Sequence, residues 1–347
     1  GSGATLLAVS PRSGDERLVR STDPSRGGAR VHRSPSWPSA ASRVVGVIGD
    51  PITHSLSPLV HNAAFDAMGL DWASVGFEVR AGRVPGALEG MRALGIAGLS
   101  VTTPHKDAAA ASVDELSALA KRIGAVNCVI WRDGRLFGDS TDGEGFVQAL
   151  RRGCEFDPDG SRCAVLGGGG AARAVVLALA EAGAAEVVVV NRTPARAVRA
   201  AALAGDVGRV GSSKDVTDAD LVVQATSLGM AGASSKEPSE RESKEPSERE
   251  SKEPSEKGRR GQGELDGRSV AMPVDPDLLR HGQLVAELVV NPLVTPLMEA
   301  AKARGARAFG GLGMLVHQAA LAIERWTGER APVEAMWKAL GERVPGN

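Results

Sequence analysis

The stretch Cys163-Ala-Val-Leu-Gly-Gly-Gly-Gly-Ala-Ala-Arg-Ala174 runs from a short apolar strand through four glycines into an alanine-rich helix that lasts to Glu181. Gly167, Gly169 and Ala172 fall on a G-x-G-x-x-A spacing. Glycine at the first position permits a tight turn, the second lets backbone approach a pyrophosphate, and the small third residue lets the helix pack closely on its strand. Gly168, Gly170 and Ala171 complete a cradle whose anion would sit on the helix N-terminus. A second strand, Glu186 to Val190, ends in Asn191-Arg192-Thr193, about twenty residues past the turn, where a dinucleotide's ribose is read. An acid there would favour NAD. Arg192 instead offers a guanidinium suited to a 2′-phosphate, with the Thr193 hydroxyl beside it, so the expected cofactor is NADP.

Other groups with chemical potential sit at the ends of predicted strands. Val44 to Ile48 reads as a buried strand, followed by a loop to Ser57 and a helix beginning at Pro58. Ser57 is a natural N-cap with Pro58 at the first helical position. Ser55 is not needed as a cap, and two hydroxyls at a strand's carboxyl end invite a polyol or carboxylate. Strand and helix then alternate: Ala73 to Glu78, a helix Arg83 to Leu94, and Gly98 to Val101. This implies a largely parallel sheet. Thr102-Thr-Pro-His-Lys106 follows, with Lys106 either a functional ammonium or merely solvated. Ser112 and Glu115 have the spacing of a capping box, which predicts a helix over 113–123. Asn127 opens a hairpin that turns at Asp133-Gly134. Thr141 or Asp142 is either a ligand group or the N-cap of a helix ending near Arg151.

The chain has 347 residues and a formal net charge of -1, with three cysteines and six histidines. This length suits two domains, and the charge argues against a nucleic-acid surface. No apolar run is long enough to span a bilayer and no secretory signal pattern opens the chain, so no membrane association and a cytoplasmic location are expected. Cys128, Cys154 and Cys163 lack C-x-x-C spacing, and His54 and His61 stand seven apart, so neither a disulfide framework nor a metal site is expected. Residues 1–43, rich in Arg, Ser, Gly and Pro, read as a disordered tail. The cofactor half continues with a helix from Pro194 to about Leu203 and a strand Leu221 to Gln224. Ser235-Lys-Glu-Pro-Ser-Glu-Arg-Glu242 then repeats at Ser243 and, imperfectly, at Ser251. Mixed charge with a proline in every unit cannot build a core, so 233–268 reads as a disordered surface insertion. A strand Leu284 to Val289, a helix Thr295 to Arg304, a helix opened by Gly310-Gly-Leu-Gly313 and a last helix Pro332 to Leu340 close the chain.

Taken in order, Ser55-Leu-Ser57-Pro58, Ser100-Val-Thr-Thr-Pro-His-Lys106, Gly124-Ala-Val-Asn127, Ser140-Thr-Asp142-Gly-Glu-Gly145, the glycine turn with Asn191-Arg-Thr193, and Gly311-Leu-Gly-Met-Leu-Val-His-Gln318 resemble the shikimate dehydrogenase family from Val44 to about Leu340. The resemblance implies a two-domain α/β fold with a cleft between the domains. An N-terminal substrate domain with a mainly parallel sheet (44–141) would be completed by 311–347, and a Rossmann-like NADP domain would span 142–310. It implies reversible NADPH-dependent reduction of 3-dehydroshikimate to shikimate, in chorismate and aromatic amino-acid biosynthesis, by a monomer or homodimer. Lys106 and Asp142 align with the catalytic pair. Ser55, Ser57, Thr102, Asn127 and Gln318 align with groups that hold the substrate. Thr226 and Ser227 fall where cofactor contacts are expected, and Met314 is either a nicotinamide contact or core. An ammonium can stabilise the alkoxide that grows on a reduced ketone and deliver its proton.

The chain departs from the family pattern at Ser100 and Ser140, each in place of Asn, at Gln224, also in place of Asn, and at Val290, in place of Tyr. Val290 has no hydroxyl, and one lost hydrogen bond to a polar substrate costs on the order of 1 kcal/mol. Quinate/shikimate or aminoshikimate dehydrogenases, and a dinucleotide-sensing binding protein with weak turnover, are the alternative readings.

Overall fold

The computed structural model describes residues 38–230 and 272–343. The predicted tail, apart from its last residues, and the predicted insertion lie outside the described residues. In chain order the first part supplies β1 (Arg43–Gly49), α1 (Ser57–Met68), β2 (Trp72–Glu78), α2 (Val84–Leu94), β3 (Gly98–Val101), α3 (Lys106–Ala110), β4 (Glu115–Leu116), α4 (Ala118–Ile123), β5 (Cys128–Arg132) and β6 (Arg135–Asp139). The remainder supplies α5 (Asp142–Gly153), β7 (Arg162–Leu166), α6 (Gly170–Glu181), β8 (Glu186–Val190), α7 (Pro194–Ala201), β9 (Gly208–Val210), β10 (Leu221–Gln224), β11 (Leu284–Glu287), α8 (Pro296–Ala303), β12 (Arg307–Phe309), α9 (Leu312–Thr327) and α10 (Val333–Arg343).

Two six-stranded sheets result. The first has the order β2-β1-β3-β5-β6-β4, parallel through β2, β1 and β3 and antiparallel at β3–β5 and β5–β6. The second, β12-β11-β10-β7-β8-β9, is parallel throughout. A parallel sheet must be buried on both faces, which explains the near-continuous Val, Ala and Leu runs of β7, β8, β10 and β11. The first sheet reverses direction of winding at β1 and the second at β7, and the carboxyl ends at such switch points are where ligands enter open α/β sheets.

Of the helix predicted over 113–123, only the second half forms, as α4. Asp114 and its neighbours are drawn to the sheet edge instead: the Asp114 amide donates to Leu136 O (3.0 Å), its carboxylate accepts from Leu136 N (2.7 Å), and β4 pairs parallel with β6. Helix α4 starts later, capped by Ser117, whose hydroxyl accepts from Ala120 N (3.0 Å), while Ser112 Oγ donates back to Ala108 O. Tertiary pairing thus outweighs a local cap spacing worth about 1 kcal/mol. Two further boundaries move. The strand at 284 ends at Glu287, because its carboxylate takes the Val289 amide (2.9 Å) and turns the chain out of the sheet. The first strand begins at Arg43, one residue before the predicted one.

Helices α5 and α9 join the halves. Helix α9 covers the first sheet, where Trp326 lies over Gly98 and its indole N–H donates to Val129 O (3.1 Å); a Cβ at Gly98 would come within 2.3 Å of that ring. Where α9 crosses α5, a Cβ on Gly145 would meet Gln318 N at 2.6 Å and Gln318 Cα at 2.8 Å. The obstructing atoms are backbone, so Gly145→Ala should destabilise the protein by about 1–3 kcal/mol despite the helix-propensity gain of about 1 kcal/mol. Gly90→Ala in α2, where a Cβ meets nothing within 4 Å, keeps only the gain. Thermal melts of the two variants should therefore shift in opposite directions.

Candidate active site

Lys106 opens α3 directly after the Thr102–His105 turn, and its ammonium forms an ion pair with Asp142 at the start of α5. The pair is nearly closed off, with the Lys106 side chain 14% and that of Asp142 5% exposed. Asn127, just before β5, directs its amide N–H groups at Asp142 Oδ1 (2.9 Å), Thr141 Oγ1 (2.9 Å) and Gln318 Oε1 (3.2 Å). Its carbonyl oxygen accepts from Thr141 N (2.7 Å). Thr141 Oγ1 in turn donates to Gln318 O (3.0 Å), and the Gln318 amide donates to Leu315 O (2.8 Å). Four elements far apart in sequence therefore converge on one polar network, and Lys106, Asn127, Asp142 and Gln318 are brought together as the sequence reading expects. Thr141 occupies the N-cap position of α5, but no side chain caps that helix. Both hydroxyl and carboxylate are thus committed to the network rather than to capping.

The loop after β1 lies beside this network. Asp50 N donates to Thr103 O (3.1 Å), and Thr102 stands against Gly49. The capping role predicted for Ser57 is not taken up. Leu56 is the N-cap of α1 and makes no side-chain cap, Ser57 is already helical, and Ser55 Oγ accepts from Ser57 N (3.3 Å). The Ser57 hydroxyl is therefore released from capping at the loop mouth. Ser100 is buried on β3, and its hydroxyl meets no hydrogen-bond partner within the described protein. His61, by contrast, is a core residue: its Nδ1 is bonded to Ser74 Oγ (2.9 Å), its ring lies edge-on to Trp326, and burial pushes its pKa down to about 3.

The glycine turn faces the same network from the second sheet. Gly167 has φ +133°, a backbone that side chains rarely adopt, and a Cβ there would strike Ala225 O at 2.8 Å. Gly168 backs onto Arg196, whereas Gly169 is exposed with nothing within 4 Å of a Cβ. Helix α6 begins at Gly170 with no side-chain cap, leaving its first amides for a ligand. This open cradle fits a dinucleotide's pyrophosphate, and Ala171 and Ala172 form the first turn of the helix beneath it. The Cβ position of Gly170 lies 3.1 Å from Lys106 Cβ, so turn and lysine adjoin. Asn191, Arg192 and Thr193 follow β8, with Arg192 and Thr193 exposed and Asn191 donating to Thr193 O (3.0 Å). Thr226 and Ser227 follow β10; buried Gln224 holds this loop by accepting from Thr226 N (3.0 Å) and Thr226 Oγ1 (3.0 Å) and donating to Leu228 O (2.9 Å). Met314 packs in the core of the second sheet with Phe146, Val165 and Ala286, which is the packing side of its two readings.

Sequence reasoning missed Arg196, whose backbone and Cβ border Gly168, and Arg173, which is buried in the first turn of α6. The signal for Arg173 was present: a cation in the first turn opposes the helix dipole and needs a reason.

An all-parallel sheet presenting an open glycine turn to a nearly closed-off lysine–carboxylate pair from a second sheet is the architecture of a dinucleotide-dependent dehydrogenase. Comparison with known proteins makes the class specific. Sequence models of the shikimate dehydrogenase substrate binding domain, of shikimate / quinate 5-dehydrogenase and of the shikimate 5′-dehydrogenase C-terminal domain match residues 47–129, 153–250 and 311–340. The shikimate dehydrogenase (NADP(+)) of Methanopyrus kandleri is 42% identical over 315 residues, 88% of this chain and 97% of that protein. That of Moorella thermoacetica is 41% identical, covering 88% and 95%. The crystal structure of shikimate 5-dehydrogenase from Thermus thermophilus with NADP(H) and shikimate superposes with a TM-score of 0.71 at 34% identity, over 87% of this chain and 100% of its own. The chain belongs to the shikimate dehydrogenase family.

One ionisable group controls the segment that carries Val290. Glu287 is buried, accepts from Val289 N and from Thr295 Oγ1 (2.9 Å each), and is pushed by burial from 4.5 to about 7. The folded protein therefore holds a proton that the unfolded chain releases near pH 4.5. This group's contribution to stability is full below that pH and is lost as pH rises through about 7. The shift corresponds to at most about 3 kcal/mol. Between about pH 5 and 8 the melting temperature of the parent protein should fall relative to that of Glu287→Gln, which cannot ionise; parallel curves would show that Glu287 is not the group responsible.

Proposed function

We propose that this protein catalyses the reversible NADPH-dependent reduction of 3-dehydroshikimate to shikimate, with Lys106 as proton donor and acceptor and Asp142 as its partner. The observation that carries this is the nearly closed-off Lys106–Asp142 pair set against the first residue of the glycine-turn helix. The dinucleotide, when bound, supplies the hydride. Lys106 stabilises the negative charge growing on the substrate oxygen and gives that oxygen a proton. Asp142 orients the ammonium and can accept from a substrate hydroxyl, while Asn127 holds Asp142 in place. On this reading Ser55, Ser57, Thr102 and Gln318 hold the substrate, with hydroxyl and amide groups suited to a carboxylate and vicinal hydroxyls.

On this reading 44–141 with 311–347 form the substrate half and 142–310 the cofactor half. Gly167, Gly168, Gly169, Gly170, Ala171 and Ala172 hold the pyrophosphate. Asn191, Arg192 and Thr193 read the ribose, and Thr226 and Ser227 border the nicotinamide side. Val290 leaves the substrate ring one hydroxyl contact short, so shikimate, quinate and aminoshikimate must be offered in parallel.

Initial rates followed at the nicotinamide absorbance band should be highest with shikimate and NADP. Lys106→Met, which keeps the stem and removes the charge, should lower kcat by about a hundredfold or more with a much smaller effect on KM. Normal turnover in that variant would end the mechanism proposed here. Arg192→Ala should raise KM for NADP far more than KM for NAD, because only NADP carries the phosphate that a guanidinium would grip; equal effects would remove Arg192 from the ribose site.

A further inference from the structure

Arg173 is the fourth residue of α6, in the cofactor half, and only 3% of its side chain is exposed. A buried guanidinium in a helix's first turn is doubly unfavourable, since it is desolvated and sits at the positive end of the helix dipole. Its compensation comes almost entirely from the other half of the molecule. Nε donates to Ile123 O (2.8 Å) and Nη2 to Gly124 O (3.1 Å), the last carbonyls of α4, at that helix's negative end. Nη2 also donates to Asp107 Oδ1 (2.6 Å), and Nη1 reaches back to Gly168 O (3.4 Å) in the glycine turn. The Asp107 side chain is 56% exposed, so that ion pair adds little, and the carbonyls are what this fork serves.

These partners are not incidental positions. Asp107 follows Lys106, and Ile123-Gly124 lead through Ala125-Val126 into Asn127. The two segments are themselves tied, Val126 N donating to Lys106 O (3.0 Å). One guanidinium thus spans the cofactor turn, the segment that carries Lys106 and the segment that carries Asn127. An apolar cluster of Ile123 and Ala125 with Ala174 and Leu177 packs the same junction.

We propose that Arg173 is a positioning residue for the proton-transfer step: it fixes the Lys106 and Asn127 backbones against the glycine turn, so that a bound cofactor and the lysine ammonium share one frame. The proposal rests on the reading of Lys106 given above. A lysine in its place is a single point donor and cannot serve Ile123 O, Gly124 O and Gly168 O together.

The test uses the full chain with NADPH and 3-dehydroshikimate, first confirming turnover by the parent protein; its absence would refute the activity itself rather than this inference. Arg173→Lys and Arg173→Ala are then compared for folding by circular dichroism, NADPH affinity by fluorescence, and kcat. Arg173→Lys should fold, bind NADPH within about threefold of the parent and lose about tenfold or more in kcat, the scale expected when a reacting group is misplaced. Its solvent deuterium isotope effect should be larger than the parent's, as proton delivery becomes limiting. Millimolar guanidinium should restore part of the kcat lost in Arg173→Ala. A kcat within about twofold of the parent in folded Arg173→Lys, or an unchanged isotope effect and no guanidinium rescue, would overturn the proposal. Failure of both variants to fold would also overturn it, by making Arg173 a structural residue.

Discussion

An ammonium and a carboxylate largely withdrawn from water can coexist only when each is given what water would have given it. Lys106 meets that demand through Asp142, and Asp142 through Lys106 and Asn127, which in turn engages Thr141 and Gln318. Much of the architecture follows from this requirement. The carboxyl end of β3 must meet the start of α5, the entry of β5 must supply an amide between them, and α9 must cross α5 closely enough for its backbone to accept from Thr141. Gly145, with no Cβ, permits that crossing. Removal of the ammonium would leave Asp142 with Asn127 as its partner.

A second charge cluster, centred on buried Asp139, adjoins the first. Asp139 ends β6, accepts from Ser117 Oγ (2.6 Å) and pairs with Arg325 of α9 (3.0 Å), with Glu144 of α5 on the far side of that guanidinium. It thereby holds the turn Ser140-Thr141 from which α5 starts. Arg173 reaches from the cofactor half to the carbonyls of Ile123 and Gly124, while Arg325 binds Asp139 within the substrate half and reaches Glu144 at the start of the cofactor half.

Periodicity and turn chemistry made most of the framework legible. β3, β8 and β10 fall on the residues that alternation and apolar runs predict, and the Asp133-Gly134 hairpin forms with positive φ at both residues. The short elements β4, β9 and β12 were not legible, because two or three residues carry no period of their own and exist through the strands beside them. The capping box at Ser112 misled for the same reason, since a local spacing competes poorly with Asp114 bonding to β6. Within the site, the order of motifs was readable but the partnerships were not. Nothing in the spacing of Asn127 and Gln318 says that one amide would donate to the other, and a cation in the first turn of α6 becomes meaningful only when α4 is seen to end against it.

The contribution of α9 also bears on when the site can exist. Gln318 and Trp326 lie near the end of the chain, yet they complete the network around Asn127 and cover the face of the first sheet at Gly98. A chain emerging from the ribosome can form β1 to β6 and then the whole second sheet before α9 is available. The substrate half, first to be synthesised, is thus the last to be finished, and until α9 docks an apolar sheet face and an incomplete polar cluster are open to solvent.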